Sequence, residues 1–164
     1  MHYNRPHSTA TWGTMAKDWE LGIDYQKLNR DRREKAQAAI KAAGLGGVLC
    51  FTFDNARYVT GTHIGEWCRD KADCYALCAT EGDVHLWDPA PPAKRKNAPW
   101  LNDKIDAPIS TLQGAIPPEF GVQDIFAKQV KDKLVEMGIV DKPLGIDLME
   151  LPMLRALEAA GIEV

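Results

Sequence analysis

The chain has no apolar run approaching the roughly 20 residues needed to cross a bilayer, so no membrane span is expected in it. It also has no surplus of positive charge. With 20 Lys and Arg against 23 Asp and Glu, the formal charge is −3, which leaves no general basic field for a phosphate backbone and argues against nucleic acid as a partner. The catalytic signatures H-E-x-x-H, G-x-S-x-G, the phosphate-binding Walker loop and the dinucleotide glycine fingerprint are all missing. No apolar signal core follows Met1, and the expectation is a cytoplasmic protein.

Cysteine is sparse and poorly spaced for metal or redox work. Cys50, Cys68, Cys74 and Cys78 include no C-x-x-C pair, so two disulfides or a thiolate metal site are disfavoured and reduced thiols expected. Cys50 and Cys78 lie in apolar runs and should pack as small hydrophobes. Cys68, beside Arg69, is the one expected to be exposed with a lowered pKa.

What the sequence does have is enough apolar character, 45% in 164 residues, for one folded core. Residues 1–23 carry Pro6, Gly13, Trp12 and Trp19 without a period and read as an N-terminal arm lying on the body or on a neighbouring subunit. Residues 24–164 read as one α/β domain. Asp24 can cap a helix whose apolar stripe runs through Leu28, Ala36, Ile40 and Ala43, Gly44 ends it, and residues 48–53 suit a buried strand. The same order recurs at 122–148, where a helical pattern closes on Gly138 and a strand follows at 144–148. It recurs again from Pro152 through Gly161 to Ile162-Glu163-Val164. Helix, glycine, strand is α/β construction.

Between the first two units, residues 72–79 and 84–87 make a hairpin across Thr80-Glu81-Gly82-Asp83. Asp83, His85 and Trp87 then share one strand face, expected to be the solvent side rather than a metal site. Residues 89–99, rich in proline and basic side chains, are expected to form an exposed loop, and 109–116 a further strand. The last strand, at three residues, is shorter than the usual five or six. That raises the expectation of a fragment, a processed piece or one subunit of a split protein.

The most informative stretch is 55–67, a polar segment after an apolar run, expected to be a loop facing a site. Arg57 offers a planar fork for a carboxylate, Tyr58 and Trp67 offer aromatic faces, and His63 can exchange a proton near neutrality. Trp67 could also cover a cation. The structural alternative is that Tyr58 is core, Arg57 pairs with an acid and Trp67 packs locally. The pair His63 and Glu66 is too few ligands for a metal.

Asn55-Ala56-Arg57-Tyr58-Val59-Thr60-Gly61 resembles the N-I-R-Y-L-T-G element in the N-terminal domain of the creatinase, prolidase and aminopeptidase P family, the pita-bread metalloenzymes. Arg33 with its helix, Gly47-Val48-Leu49-Cys50, Glu81-Gly82-Asp83 and Leu144-Gly145-Ile146-Asp147 follow in the family's order. Residues 62–75 are similar to the prolidase-like and dimethylsulfoniopropionate lyase branches. The resemblance implies a mixed β-sheet flanked by helices, with no catalytic residue and no metal or other cofactor bound in this chain. It places divalent metal ions in a C-terminal pita-bread catalytic domain or separate catalytic subunit. It implies homo- or hetero-oligomer contacts, and makes Arg57, Tyr58, His63 and Trp67 candidate accessory pocket residues. The alternative is a stand-alone ligand-binding or protein-interaction module without catalysis.

Overall fold

The computed structural model of the chain describes residues 23–62, 73–109 and 117–164. The expected arm, apart from Ile23, lies outside them. The elements in order are α1 (Tyr25–Ala42), β1 (Gly47–Cys50), α2 (Phe53–Thr60), β2 (Tyr75–Ala79) and β3 (His85–Trp87). Then come α3 (Pro91–Asn97), β4 (Ile105–Asp106), a 3₁₀ turn (Pro118–Phe120), α4 (Val122–Glu136), β5 (Leu144–Ile146) and α5 (Leu151–Ala159).

The strands form one mixed sheet in the order β4-β3-β2-β1-β5, antiparallel at β1–β2 and β2–β3, parallel at β1–β5 and β3–β4. Strand alternation divides the core in two. Leu49, Tyr75, Leu77, Trp87 and Leu144 pack with Phe126, Val130 and Leu134 of α4 and Met153 and Leu157 of α5. Cys50, Ala76, Cys78, Leu86 and Ile105 pack on the opposite face with Ile40 of α1 and Ala56 and Val59 of α2. Helices therefore cover both faces. Each fully buried Leu or Phe contributes roughly 1.5–3 kcal/mol by leaving water, which makes this double-sided sheet the main source of stability.

That covering corrects the expectation for the hairpin. The pairing is as expected, with Tyr75 opposite Trp87 and Leu77 opposite His85, but the His85 and Trp87 face is not solvated. Both side chains are buried, because α4 packs over the face that a one-sided antiparallel sheet would leave to water.

Other boundaries also move. Asp24 caps α1 as expected, accepting from the Lys27 amide at 2.9 Å, and α4 and its strand fall where the pattern put them. β1 stops at Cys50, and Phe53, expected in that strand, opens α2. The expected loop over 89–99 contains α3, because Pro91 and Pro92 sit in its first turn, where no intrahelical N–H is needed. Its basic residues fold back: Lys94 reaches Asp88 at 3.1 Å and Arg95 donates to the Ile105 carbonyl. β4 was not anticipated, Ile109 lies in no strand, and residues 110–116 of the expected strand are outside the described residues. Residues 162–164 are not a strand, although the Leu144 amide donates to the Glu163 carbonyl at 2.8 Å.

Candidate functional site

The segment that carries Arg57 and Tyr58 is a helix, not a loop. Phe53, Ala56, Val59 and Thr60 recur at spacings of three and four, and the last three are buried. The polar residues between them face outward, as in any short amphipathic helix. Its start is held from far along the chain. Asp147 accepts from the Phe51 amide at 2.7 Å, the Thr52 amide at 3.1 Å, the Thr52 hydroxyl at 2.6 Å and the Asn55 amide group at 2.9 Å. A carboxylate at this end also complements the helix dipole.

The other end is equally fixed. Gly61 takes the left-handed conformation at φ 68° and donates to the Arg57 carbonyl at 2.9 Å. A side chain there would be strained and would run into the Asn29 amide of α1. The Thr60 hydroxyl donates to the Ala56 carbonyl at 2.7 Å and accepts from the Thr62 amide at 3.3 Å, with both threonines buried. Trp100, from the turn after α3, donates its indole N–H to the Thr60 carbonyl at 2.8 Å.

On this frame Arg57 and Tyr58 are both exposed. Consecutive helical residues point about 100° apart, so they do not share one direction. The Tyr58 ring lies under the Arg32 guanidinium of α1, 5.5 Å from carbon to centroid. His63 and Trp67, together with Cys68, lie outside the described residues. The residues that sequence reasoning missed are Asp147 and Trp100. In the sequence Asp147 shows only as a polar residue after an apolar strand pattern, and the only signal for Trp100 is an aromatic in a polar stretch.

Elsewhere the chemistry is subdued. Cys50, Cys74 and Cys78 are buried. Burial, with Asp147 adding to it, pushes Cys50 up to about 12, and burial pushes Cys78 up to about 11. Burial likewise raises the Tyr75 hydroxyl, which donates to Gln129 at 2.5 Å. His85 Nε2 lies 3.1 Å from Asp106 Oδ2 but is not aligned for a hydrogen bond. Burial first, and Lys133 second, lower His85 to about 4 against the opposing pull of Asp106 and Glu136. Among the described residues no three His, Cys, Asp or Glu side chains are grouped to hold a metal ion. A shallow groove of about 300 Å³ runs between α4 and α5, lined by Ala127, Ala156 and Ala159 with Lys128 and Lys131, and away from α2. No helix of the described residues is long and apolar enough to cross a membrane.

The architecture, one mixed five-stranded sheet with helices on both faces, is the α/β fold that the resemblance read from the sequence implies. No family model matches the chain. In fold it is similar to the N-terminal domain of the cytoplasmic peptidase PepQ from Mycobacterium tuberculosis H37Rv, with a TM-score of 0.54 and 21% identity, covering 79% of this chain and 84% of that one. The Xaa-Pro dipeptidase from Bacillus anthracis gives a TM-score of 0.55 at 16% identity, covering 82% of this chain and 32% of that one. In sequence it is 27% identical over 150 residues to the dimethylsulfoniopropionate lyase DddP of Roseovarius nubinhibens, covering 86% of this chain. It is 27% identical over 163 residues to DddP of Roseobacter denitrificans, covering 94% of this chain. The chain spans about a third of the length of these relatives, 32% and 34%.

Proposed function

We propose that this chain is the non-catalytic N-terminal domain of a pita-bread-fold, metal-dependent hydrolase or lyase. It works in the cytoplasm with a C-terminal catalytic domain or a separate catalytic subunit, and it contributes oligomer contacts and one wall of the substrate pocket. The observation that carries this reading is the coverage of the PepQ N-terminal domain, 84% of its length, by the same fold. The match to DddP extends the likeness to sequence and brings lyase chemistry in beside peptidase chemistry.

The metal ions belong to the partner in this reading. The described residues of this chain do not fit a metal, since no three ligating side chains converge, and no step of metal chemistry is assigned to them. What the chain supplies is positioning. The guanidinium of Arg57 can hold a carboxylate in a planar fork, and both an Xaa-Pro dipeptide and dimethylsulfoniopropionate carry one. Asp147 and Gly61 fix the two ends of the helix that presents Arg57. Tyr58, His63 and Trp67 complete the proposed accessory set.

In the assembled enzyme, Arg57→Ala should raise KM for a carboxylate substrate by about tenfold or more, the effect of losing one charge-assisted hydrogen-bonding group. Arg57→Lys should recover part of the loss, because charge survives without the fork. Unchanged KM in both variants would return Arg57 to an ordinary exposed side chain.

A further inference from the structure

His85 lies one strand in from the β4 edge of the sheet, buried, and its Nε2 is the one buried side-chain nitrogen or oxygen among the described residues that no hydrogen bond satisfies. Such an atom is costly and rare in a native fold. Three elements surround the ring. Within β3 the Trp87 ring stands edge-on to it, with centroids 4.5 Å apart. From β4, Asp106 brings Oδ2 to 3.1 Å without the alignment of a bond. From α4, Lys133 reaches that same oxygen at 3.8 Å and is held to Glu136 at 2.6 Å. Lys104, just before β4, adds a further positive charge and pairs with Asp103 at 3.7 Å.

Every carboxylate near the ring already serves a lysine, so a proton on His85 makes a third cation with no aligned partner, on a side chain that is 2% exposed. A charge so placed is strongly disfavoured. The direction of its titration agrees, since burial first and Lys133 second hold the imidazole neutral. The proton is accepted only where the ring reaches water, which requires one of its walls to move. α4 is anchored in the core by Phe126, Val130 and Leu134, and β3 is paired along both edges. The weakest wall is β4. It has two residues, of which only Ile105 is buried. Its pairing with β3 rests on the Leu86 and Asp88 amides, which donate to the Lys104 and Asp106 carbonyls at 2.9 Å each, and Arg95 ties the Ile105 carbonyl to α3.

We propose that β4 is a proton-released edge: when His85 takes up a proton, Ile105 and Asp106 leave β3, while β1, β2 and β5 stay paired. The opening binds one proton, so it grows about tenfold for each pH unit lost between the free and the buried titration of the imidazole. It uncovers an unpaired edge of β3, the kind of surface to which another strand can add.

Amide hydrogen exchange of this chain, followed by NMR from about pH 6.5 to 4.5 and expressed as protection relative to the unfolded-peptide rate, tests the proposal. The Leu86 and Asp88 amides should be at least about tenfold less protected than the paired amides of β1 and β2, and should lose protection about tenfold per pH unit. His85→Leu should abolish that pH dependence. Lys133→Met, which removes a competing cation and raises the titration of the buried ring, should make the loss level off at a higher pH than in the wild type, and it keeps the test open if His85→Leu does not fold. Equal protection at Leu86, Asp88, β1 and β2 would mean that β4 leaves only with the whole fold. Protection that is constant or rises as the pH falls would mean that the ring is protonated in place, with Asp106 turning to meet it. Either result would overturn the proposal.

Discussion

Asp147, beyond the end of β5, caps α2 through Thr52: the Thr52 amide and hydroxyl reach the same carboxylate oxygen at 3.1 and 2.6 Å. The Phe51 amide takes the other oxygen at 2.7 Å. The carboxylate thereby joins two parallel strands to the helix that carries Arg57.

Removing that carboxylate should loosen the helix as well as the fold. Asp147→Ala is expected to cost on the order of 2–4 kcal/mol, the range for losing a helix cap together with charge-assisted bonds to part-buried donors. Asp147→Asn should cost less, since an amide oxygen can still accept. Urea unfolding measures both. Equal midpoints for wild type and Asp147→Ala would show that the cap contributes nothing.

Gly61→Ala meets two obstacles, the positive φ and the Asn29 amide. The expected cost is about 1–3 kcal/mol. Asn29→Ala in the same chain should relieve the collision and leave the backbone strain. A double-mutant cycle by chemical denaturation reads the coupling, and strict additivity would contradict the contact.

Stability should rise with pH through the range where His85 is neutral in the fold and protonated in the unfolded chain. The unfolded imidazole titrates near 6.5 and the folded one near 4. The unfolded state therefore binds the extra proton between those values, and stability is lost as pH falls from about 6.5 towards 4. The imidazole is 2% exposed, and its contribution is at most on the order of 3 kcal/mol. His85→Leu should flatten the profile in that window. An unchanged slope in the variant would assign the pH dependence to other groups.

Thiol labelling should divide folded from unfolded protein. Cys50, Cys74 and Cys78 are buried, and burial raises the pKa of Cys50 and Cys78. All three should resist iodoacetamide at neutral pH in the native state and react once guanidinium unfolds the chain. Peptide mapping locates the adducts. Rapid native labelling of Cys50 or Cys78 would contradict the packing.

Much of the fold was legible because it is written in local pattern. The Asp24 cap, the α4 stripe and the Gly82 reversal each sit within a few residues of what they control. Two of the errors have one origin. Residues 55–60 read as part of a loop because Asn55, Arg57 and Thr60 are polar, and Phe53 reads as the end of a strand, yet the spacing of Phe53, Ala56, Val59 and Thr60 is helical. What stabilises that spacing, Asp147, is 92 positions beyond Asn55. His85 was assigned to solvent because alternation shows which residues share a face, not whether a distant helix covers it. α4 does. The chemical candidates were legible to the same extent: Arg57 and Tyr58 could be named as residue types, but their divergence on a helix, and the part of Trp100, needed tertiary structure.

The central claim is that this chain positions substrate for a partner and does no chemistry itself. Its most direct test is a metal-supplemented assay of the purified chain against an Xaa-Pro dipeptide and dimethylsulfoniopropionate, with Mn²⁺, Fe²⁺, Co²⁺ or Zn²⁺ added in turn. The account predicts no turnover above the protein-free control in any combination, and turnover that a chelator abolishes and fresh metal restores would contradict it.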